Sequence, residues 1–195
     1  MKQARARLTH AVILDAAGEI FAARGFADTN LQLVADRIGL TKGALYGHFP
    51  SKAALAAAVI DEFDKSWIEV TTAARHSPGP ALQTLTGLLL ELSRRTAEDV
   101  RFLAGLRLSM AAARAGEVEG PHFAELRTLV TSLVLSSQEQ GDIGAGHRPE
   151  LLAWLLIAAV LGPRELGLVT GKVNAADVLA LMWETVLPAA RRSLG

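Results

Sequence analysis

The 195-residue sequence contains no cysteine, and this absence excludes several classes of protein at once. A disulfide-stapled scaffold, a cysteine metal site and a cysteine nucleophile all need thiols. The longest uncharged apolar stretch, residues 151–162, is shorter than the roughly 20 residues that a membrane-spanning helix needs. The N-terminal region also lacks the apolar run and cleavage site of a secretory signal. We therefore expect a soluble, cytoplasmic protein with no membrane partner.

Sequence signatures of enzymes are also missing. There is no Gly-x-Ser-x-Gly, no phosphate-binding loop, no His-Glu-x-x-His and no Gly-x-Gly-x-x-Gly. The five histidines are scattered and do not have the spacing of metal ligands. We expect no catalytic residues, no metal and no cofactor, and an enzyme built on helices is the weakest of three alternatives.

Alanine, by contrast, is abundant, with 34 copies, and it is the best helix former and a poor strand former. Apolar residues recur at helical spacing, and no stretch alternates with a period of two for long enough to predict a strand. Turn residues divide the chain into about nine helices, the first capped by Thr9 and the last spanning residues 174 to about 192. The sequence therefore predicts an all-α fold.

Charge is uneven along the chain although the total is balanced. Residues 1–55 carry seven basic against four acidic side chains, whereas the remainder carries thirteen against sixteen. Such asymmetry is typical of a small module that meets a polyanion, attached to a body that does not. The charge pattern therefore indicates a small module in residues 1–55 that meets a polyanion and a larger body in residues 56–195.

Residues 30–48 have the pattern of a helix-turn-helix. Asn30 is placed to cap one short helix, Gly39 makes a tight turn, and Thr41 is placed to cap a second, very short helix. In such motifs the second helix enters the major groove of DNA. The residues predicted to contact DNA are Thr29, Asn30, Gln32, Thr41, Lys42, Gly43, Ala44, Tyr46, His48 and Lys52.

These residues closely resemble the N-terminal domain of the tetracycline-repressor (TetR) family. The matching segments are residues 13–17, 20–21, 24–26, 34–35 and 39–52. The resemblance implies an all-α homodimer that binds double-stranded operator DNA and carries a pocket for a small-molecule inducer of unknown identity. It also implies a three-helix DNA-binding domain in residues 1–55 and a larger helical ligand-binding and dimerisation domain in residues 56–195.

A fainter resemblance, to the γ-butyrolactone receptor branch of that family, reaches into the body. Its segments are residues 41–46, 105–108, 121–123 and 181–183, together with Glu125 and Arg127. The chain departs from the branch at two positions. Leu126 stands where the branch has a pocket tryptophan, and Gly47 stands where an aromatic residue is usual.

Apolar residues of the second domain supply candidates for the ligand pocket and the dimer interface. The ligand-binding candidates are Trp67, Phe102, Leu106, Met110, Phe123, Leu126 and Trp154. Residues 151–161 are apolar around a whole helix, which must be covered on every side, and a partner subunit is the cover we expect. The interface candidates are Leu151, Trp154, Leu155, Ala158, Leu166, Val178, Met182 and Trp183. Side chains of this kind also form ordinary cores, so both assignments compete with that explanation.

Two further alternatives follow from the residues alone. The helix-turn-helix could belong to a helical binding or interaction module that does not regulate transcription. Lys2, Arg5 and Arg7 form either a disordered basic tail or an arm that reaches DNA. Salt dependence distinguishes this binding module from a DNA-binding regulator, because only a DNA-binding protein loses affinity for duplex DNA steeply as the salt concentration rises.

Overall fold

The computed structural model describes residues 2–116 and 120–170, with side chains for residues 8–116 and 120–162. These residues form eight helices and no strand, which confirms the all-α prediction. The helices are α1 (Lys2–Arg24), α2 (Leu31–Arg37), α3 (Lys42–His48), α4 (Lys52–Arg75), α5 (Ala81–Glu98), α6 (Val100–Ala115), α7 (Pro121–Glu139) and α8 (Pro149–Thr170). The ninth predicted helix, at residues 174 to about 192, lies outside the described residues. Among the described residues, no helix combines the length and apolarity needed to cross a bilayer.

The first helix begins earlier than the sequence predicts. Thr9 was the expected N-cap, but α1 already includes Lys2. The segment before Thr9 contains no glycine or proline, so nothing in it stops the helix from extending toward the N-terminus. Of the two alternatives for the basic residues at the N-terminus, the structure does not have the disordered tail, since the backbone of residues 2–7 is helical.

Cα packing divides the chain into two units, Met1–Ser66 with Asp99–Gly120 and Trp67–Glu98 with Pro121–Gly195. In the first unit, α1 packs extensively on α6, and the three N-terminal helices share one core with the beginning of α4. The largest completely buried side chains of that core include Ile13, Phe21, Leu45 and Leu55. The unit therefore contains the helix-turn-helix and also α6.

A close approach between α4 and α6 depends on a glycine. A β-carbon at Gly105 would overlap Cβ of Phe63 and lie 2.7 Å from its Cγ. The rings of Phe63 and Phe102, which also lies on α6, meet edge to face at a centroid distance of 5.0 Å. Only glycine allows these two helices to pack at this separation.

The second unit is built on α5, α7 and α8, which pack against one another. Leucines of α5 and the apolar residues Leu152, Leu156 and Ile157 of α8 are buried in it. Together with Val130 and Val134 of α7, they bury an apolar core large enough to dominate the stability of the unit.

Candidate nucleic-acid interface

Side-chain caps fix the beginning of both helices of the helix-turn-helix. The Asn30 side chain accepts a hydrogen bond from the Leu33 N–H (3.0 Å), and Thr41 Oγ1 accepts one from the Ala44 N–H (3.2 Å). Gly39, in the turn between them, has φ +68°, a conformation that glycine adopts without strain. The predicted caps and turn are confirmed, and they determine where α3 begins.

Packing leaves one face of α3 exposed. Leu45 and Phe49 are buried against the core, whereas Thr41, Lys42, Gly43 and Ala44 are exposed. Tyr46 is 45% exposed, with the Lys42 ammonium 5.8 Å from its ring centre, and His48 is half-buried.

This exposed face has the properties of a groove-reading surface. A β-carbon at Gly43 or at Gly47 would meet nothing within 4 Å. No side chain covers the backbone near the N-terminus of α3, so a base edge can approach it there. The Lys42 ammonium and the Tyr46 hydroxyl flank this position and can bond phosphates.

Three other predicted DNA contacts are engaged within the protein. Thr29 is 3% exposed and donates its hydroxyl to the Gly25 carbonyl (2.7 Å). Gln32 donates to the Asp36 carboxylate (2.6 Å) on the same helix. Lys52 donates to the carbonyls of residues 26 and 27 at 2.8 and 3.2 Å. Whether these side chains also reach DNA stays a prediction.

Arginines of α6 attach this helix to α1, and no sequence pattern predicted these contacts. Arg101 Nε donates to Asp15 Oδ1 (2.6 Å), and its Nη2 donates to the Ala11 carbonyl (3.0 Å). The Asp15 hydrogen bond raises the pKa of the Arg101 guanidinium above its usual value. Arg107 donates to the carbonyl of Ala22, near the end of α1. These partners stand more than 80 positions apart, so no local pattern connects them.

In the second unit, a carboxylate joins α4 to α7, and four of the ligand-binding candidates belong to this unit. Trp67 is buried, and its indole N–H donates to Glu125 Oε2 (2.7 Å) while Arg75 pairs with Oε1 (2.8 Å). Leu126 is also buried, and the rings of Phe123 and Trp154 lie 5.3 Å apart. In the first unit, Phe102 and Leu106 are buried and Met110 is half-buried.

A separate cleft of about 530 Å³ lies in the second unit, between the end of α4, the beginning of α5, and α7. Its lining is rich in hydroxyl groups and includes Arg75, Thr84, Ser132 and Ser136. None of the predicted ligand residues lines it. Within the part of the chain that the structure describes, no group of three metal-binding side chains occurs.

The helix α8 presents an apolar stripe on its exposed side. Leu151 is 59% exposed, Trp154 and Leu155 are each 48% exposed, and Ala158 is exposed. Their spacing of three and four residues places them on one face, opposite the buried residues of the same helix. The remaining interface candidates, Leu166, Val178, Met182 and Trp183, lie outside the residues whose side chains are described.

Comparison with known proteins gives this geometry a context. Residues 13–59 match the family described as "Bacterial regulatory proteins, tetR family". A crystal structure of a gamma-butyrolactone receptor (ArpA-like protein) superposes with a TM-score of 0.77 at 30% identity, covering 97% of this chain and 93% of that one. The chain belongs to the tetR family. The resemblance predicted from the sequence is thereby confirmed, and the matched residues of this tetR-family chain contain the whole helix-turn-helix.

Two other relatives align along most of this tetR-family chain. The A-factor receptor protein of Streptomyces griseus is 29% identical over 189 residues, which are 96% of this chain, but the chain spans only 65% of the length of that relative. The structure of CprB from Streptomyces coelicolor in complex with its operator sequence superposes with a TM-score of 0.75 at 30% identity, covering 94% of this chain and 88% of that one. The relatives therefore include gamma-butyrolactone receptors, the branch that the sequence predicted.

Proposed function

We propose that this chain is a dimeric DNA-binding transcriptional regulator, most simply a repressor that a small molecule releases from its operator. The observation that carries the proposal is the exposed face of α3, held in place by the Asn30 and Thr41 caps within the matched tetR segment. The relative whose structure was determined in complex with its operator supports the same role for this fold. A bacterial regulator of this kind would act in the cytoplasm, where the chromosome lies, and its relatives support a regulatory rather than a catalytic role.

Within this proposal, residues 1–55 read DNA and residues 56–195 bind ligand and form the dimer. Gly43 and Ala44 approach base edges, while Thr41, Lys42 and Tyr46 contact phosphates on either side of the groove. The apolar stripe of α8, defined by Leu151, Trp154, Leu155 and Ala158, is the dimer interface. A stripe of this kind is a typical homodimer surface because subunit interfaces bury apolar area.

The proposed inducer is a small apolar molecule, of the γ-butyrolactone type by analogy with the receptor whose structure superposes on this chain. It would bind within residues 56–195 and favour a body conformation in which α4 shifts. Since α4 begins at Lys52, directly after the recognition helix, its shift would change the separation of the two recognition helices. A ligand needs only a few kcal/mol of preference for the released state to act in this way.

Selection of duplexes from a random-sequence pool by the purified protein, at near-physiological salt, tests the proposal. We expect recovery of a site with two-fold symmetry, since a dimer presents two recognition helices about 34–36 Å apart. Recovery of nothing above background, repeated after the protein has been unfolded and refolded to remove any bound ligand, would favour the binding-module alternative.

Two glycine variants locate the DNA-reading face. Gly43→Leu adds a side chain to α3 where the protein itself offers nothing within 4 Å, so the variant should fold normally. It should lose at least about tenfold in affinity for the selected site, because the leucine would occupy the space of the bases. Gly87→Leu is the matched control, since it makes the same change at an equally open position of α5 and should bind as the wild type does. Equal affinities for the two variants would contradict the assignment of α3.

A further inference from the structure

The cleft between the end of α4, the beginning of α5, and α7 is a cavity that the predicted ligand residues do not line. Its volume of about 530 Å³ lies in the range of sites that hold small organic molecules and far exceeds the size of an inorganic ion. All the described residues that line it belong to the second unit. The chemistry of the cleft therefore follows from residues 74–84 and 128–140.

The cleft has a single charged side chain, that of Arg75, among the described residues that line it. Arg75 Nη2 pairs with Glu125 Oε1 at 2.8 Å, and the other oxygen of Glu125 accepts the Trp67 indole N–H. This carboxylate is held from two sides and fixes where the guanidinium lies. The Arg75 side chain remains 45% exposed, and a guanidinium has more N–H groups than one such pair uses, so donors remain for a second anion. Because Glu125 offsets part of the charge, the position suits one carboxylate better than a multiply charged anion.

The beginning of α5 adds uncharged hydrogen-bond donors to the cleft. The hydroxyls of Thr84 and Ser77 share one hydrogen bond of 2.9 Å, so one of the two O–H groups is left to donate. Gln140 accepts the Ala81 N–H on Oε1 at 3.0 Å, which leaves its amide –NH2 group as a donor. These donors suit oxygen atoms of a ligand.

The α7 wall of the cleft offers acceptors instead. Thr128 donates its hydroxyl to the Ala124 carbonyl (2.9 Å), and Ser132 donates to the Leu129 carbonyl (2.8 Å). Both hydroxyl hydrogens are used within the helix, so the oxygens present lone pairs to a ligand. Leu129 and Leu133 add apolar surface to the same wall. A molecule that fits this wall therefore carries hydroxyl donors on a short carbon chain.

We propose that this cleft binds a small hydroxylated carboxylate, at a site separate from the pocket of the apolar inducer. The carboxylate of the ligand pairs with Arg75. Its hydroxyls donate to the oxygens of α7 and accept from the donors at the beginning of α5. An apolar lactone does not fit here, because it has no charge for Arg75 and would displace water from the hydroxyls of the cleft without replacing the hydrogen bonds.

Three six-carbon probes test this chemistry. Gluconate has a carboxylate and hydroxyl groups, sorbitol has only hydroxyl groups, and hexanoate has only a carboxylate. Binding to the purified protein is followed through the backbone amide resonances of Gly79, Ala81 and Ser136, which line the cleft. We expect a saturable shift with gluconate in the millimolar range, and an affinity for gluconate about tenfold or more above that for either other probe. Equal affinity for sorbitol or hexanoate, or no saturable shift at tens of millimolar gluconate, would overturn the proposal.

Arginine variants locate the bound carboxylate. Arg75→Gln removes the charge from the cleft and should weaken gluconate binding about tenfold or more. Arg148→Gln is the matched control, since it makes the same change at an exposed position of the same unit that does not line the cleft, and it should bind gluconate as the wild type does. Equal affinities for the two variants would show that gluconate binds elsewhere.

A second variant covers the case in which loss of the Arg75–Glu125 pair disturbs folding. Ser136→Leu fills the cleft from a half-buried position of α7 and leaves that pair intact. It should keep the helical circular dichroism of the wild type and lose gluconate binding about tenfold or more. Wild-type affinity in Ser136→Leu would overturn the proposal. None of these measurements uses DNA, so their outcome is independent of the DNA-binding function proposed above.

Discussion

Replacement of Gly105 by alanine should destabilise the protein, although alanine is the better helix former. The new methyl group would overlap Phe63 and come within 3.3 Å of the Val59 carbonyl oxygen. Phe63 is completely buried and contacts Phe102 edge-on, so its ring has no free space to move into. Helix α6 must therefore shift away from α4.

The expected size of this effect follows from two opposing terms. Overpacking of a well-packed core costs about 1–3 kcal/mol, and more where backbone must move. Alanine returns about 1 kcal/mol through helix propensity. With overpacking toward the upper end, the net loss is about 1–2 kcal/mol, or a melting temperature lower by about 2–8 °C for a chain of this size.

Gly87→Ala provides the matched control because Gly87 lies inside α5 with nothing within 4 Å of the added carbon. It should gain up to about 1 kcal/mol, and its melting temperature should rise by about 2–4 °C. Both variants are followed by circular dichroism at one protein concentration, since a dimer melts in a concentration-dependent way. A melting temperature of Gly105→Ala at or above that of the wild type would refute the close packing of α4 and α6.

Three further predictions follow from other parts of the structure. Trp154→Asp places a charge in the centre of the α8 stripe and should convert dimers to monomers in sedimentation velocity. Leu90→Asp makes a similar change at another exposed apolar position and should leave dimers intact. A Trp154→Asp variant that remains dimeric would exclude this interface. The hydrogen bond from Arg94 lowers the pKa of Glu91 to about 2, so its contribution to stability is present above pH 4.5 and is lost as the pH falls toward 2. Because this carboxylate is about one-third exposed, the wild type should be more stable than Glu91→Gln by no more than about 1 kcal/mol at pH 7. The urea midpoints of the two proteins should converge as the pH falls, and midpoints that diverge in acid would contradict the predicted loss of stabilisation. Trp67→Phe removes the indole donor from the half-buried carboxylate of Glu125 and should cost about 1.5–3 kcal/mol in urea unfolding, and a cost below that of Trp154→Phe would count against this bond.

Local features of the fold could be predicted because local chemistry produces them. Asn30 and Thr41 are cap residues with helical sequence after them, and each side chain accepts the expected backbone hydrogen bond. Gly25 and Gly39 stand where a positive φ is needed, and both adopt it. The beginning of α1 was predicted wrongly because a threonine caps a helix only where the helix begins. No residue before Thr9 interrupts the helix, which therefore extends to Lys2.

Long-range pairings could not be predicted, because nothing in the sequence around one residue indicates which distant residue it contacts. Gly105 is one of 17 glycines, and only the packed structure shows that Phe63 occupies the space beside it. Arg101 likewise finds Asp15 at a distance of 86 positions. These contacts place α6 in the same unit as the helix-turn-helix, whereas the predicted division after residue 55 follows charge and motif alone.

Lys42 and Lys52 show that residue type alone does not determine which contacts a side chain makes. Both are basic residues at the first position of a helix next to a recognition surface, and the sequence assigns both to DNA. Their surroundings differ, since Lys42 is exposed beside Tyr46 whereas Lys52 reaches back to two main-chain carbonyls and an aromatic ring. An ammonium group whose donors are already paired gains less from a phosphate, because each new bond replaces an old one instead of a bond to water. The motif thus predicts which residues lie near DNA, and the hydrogen bonds of each side chain show which bonds a DNA contact would have to replace.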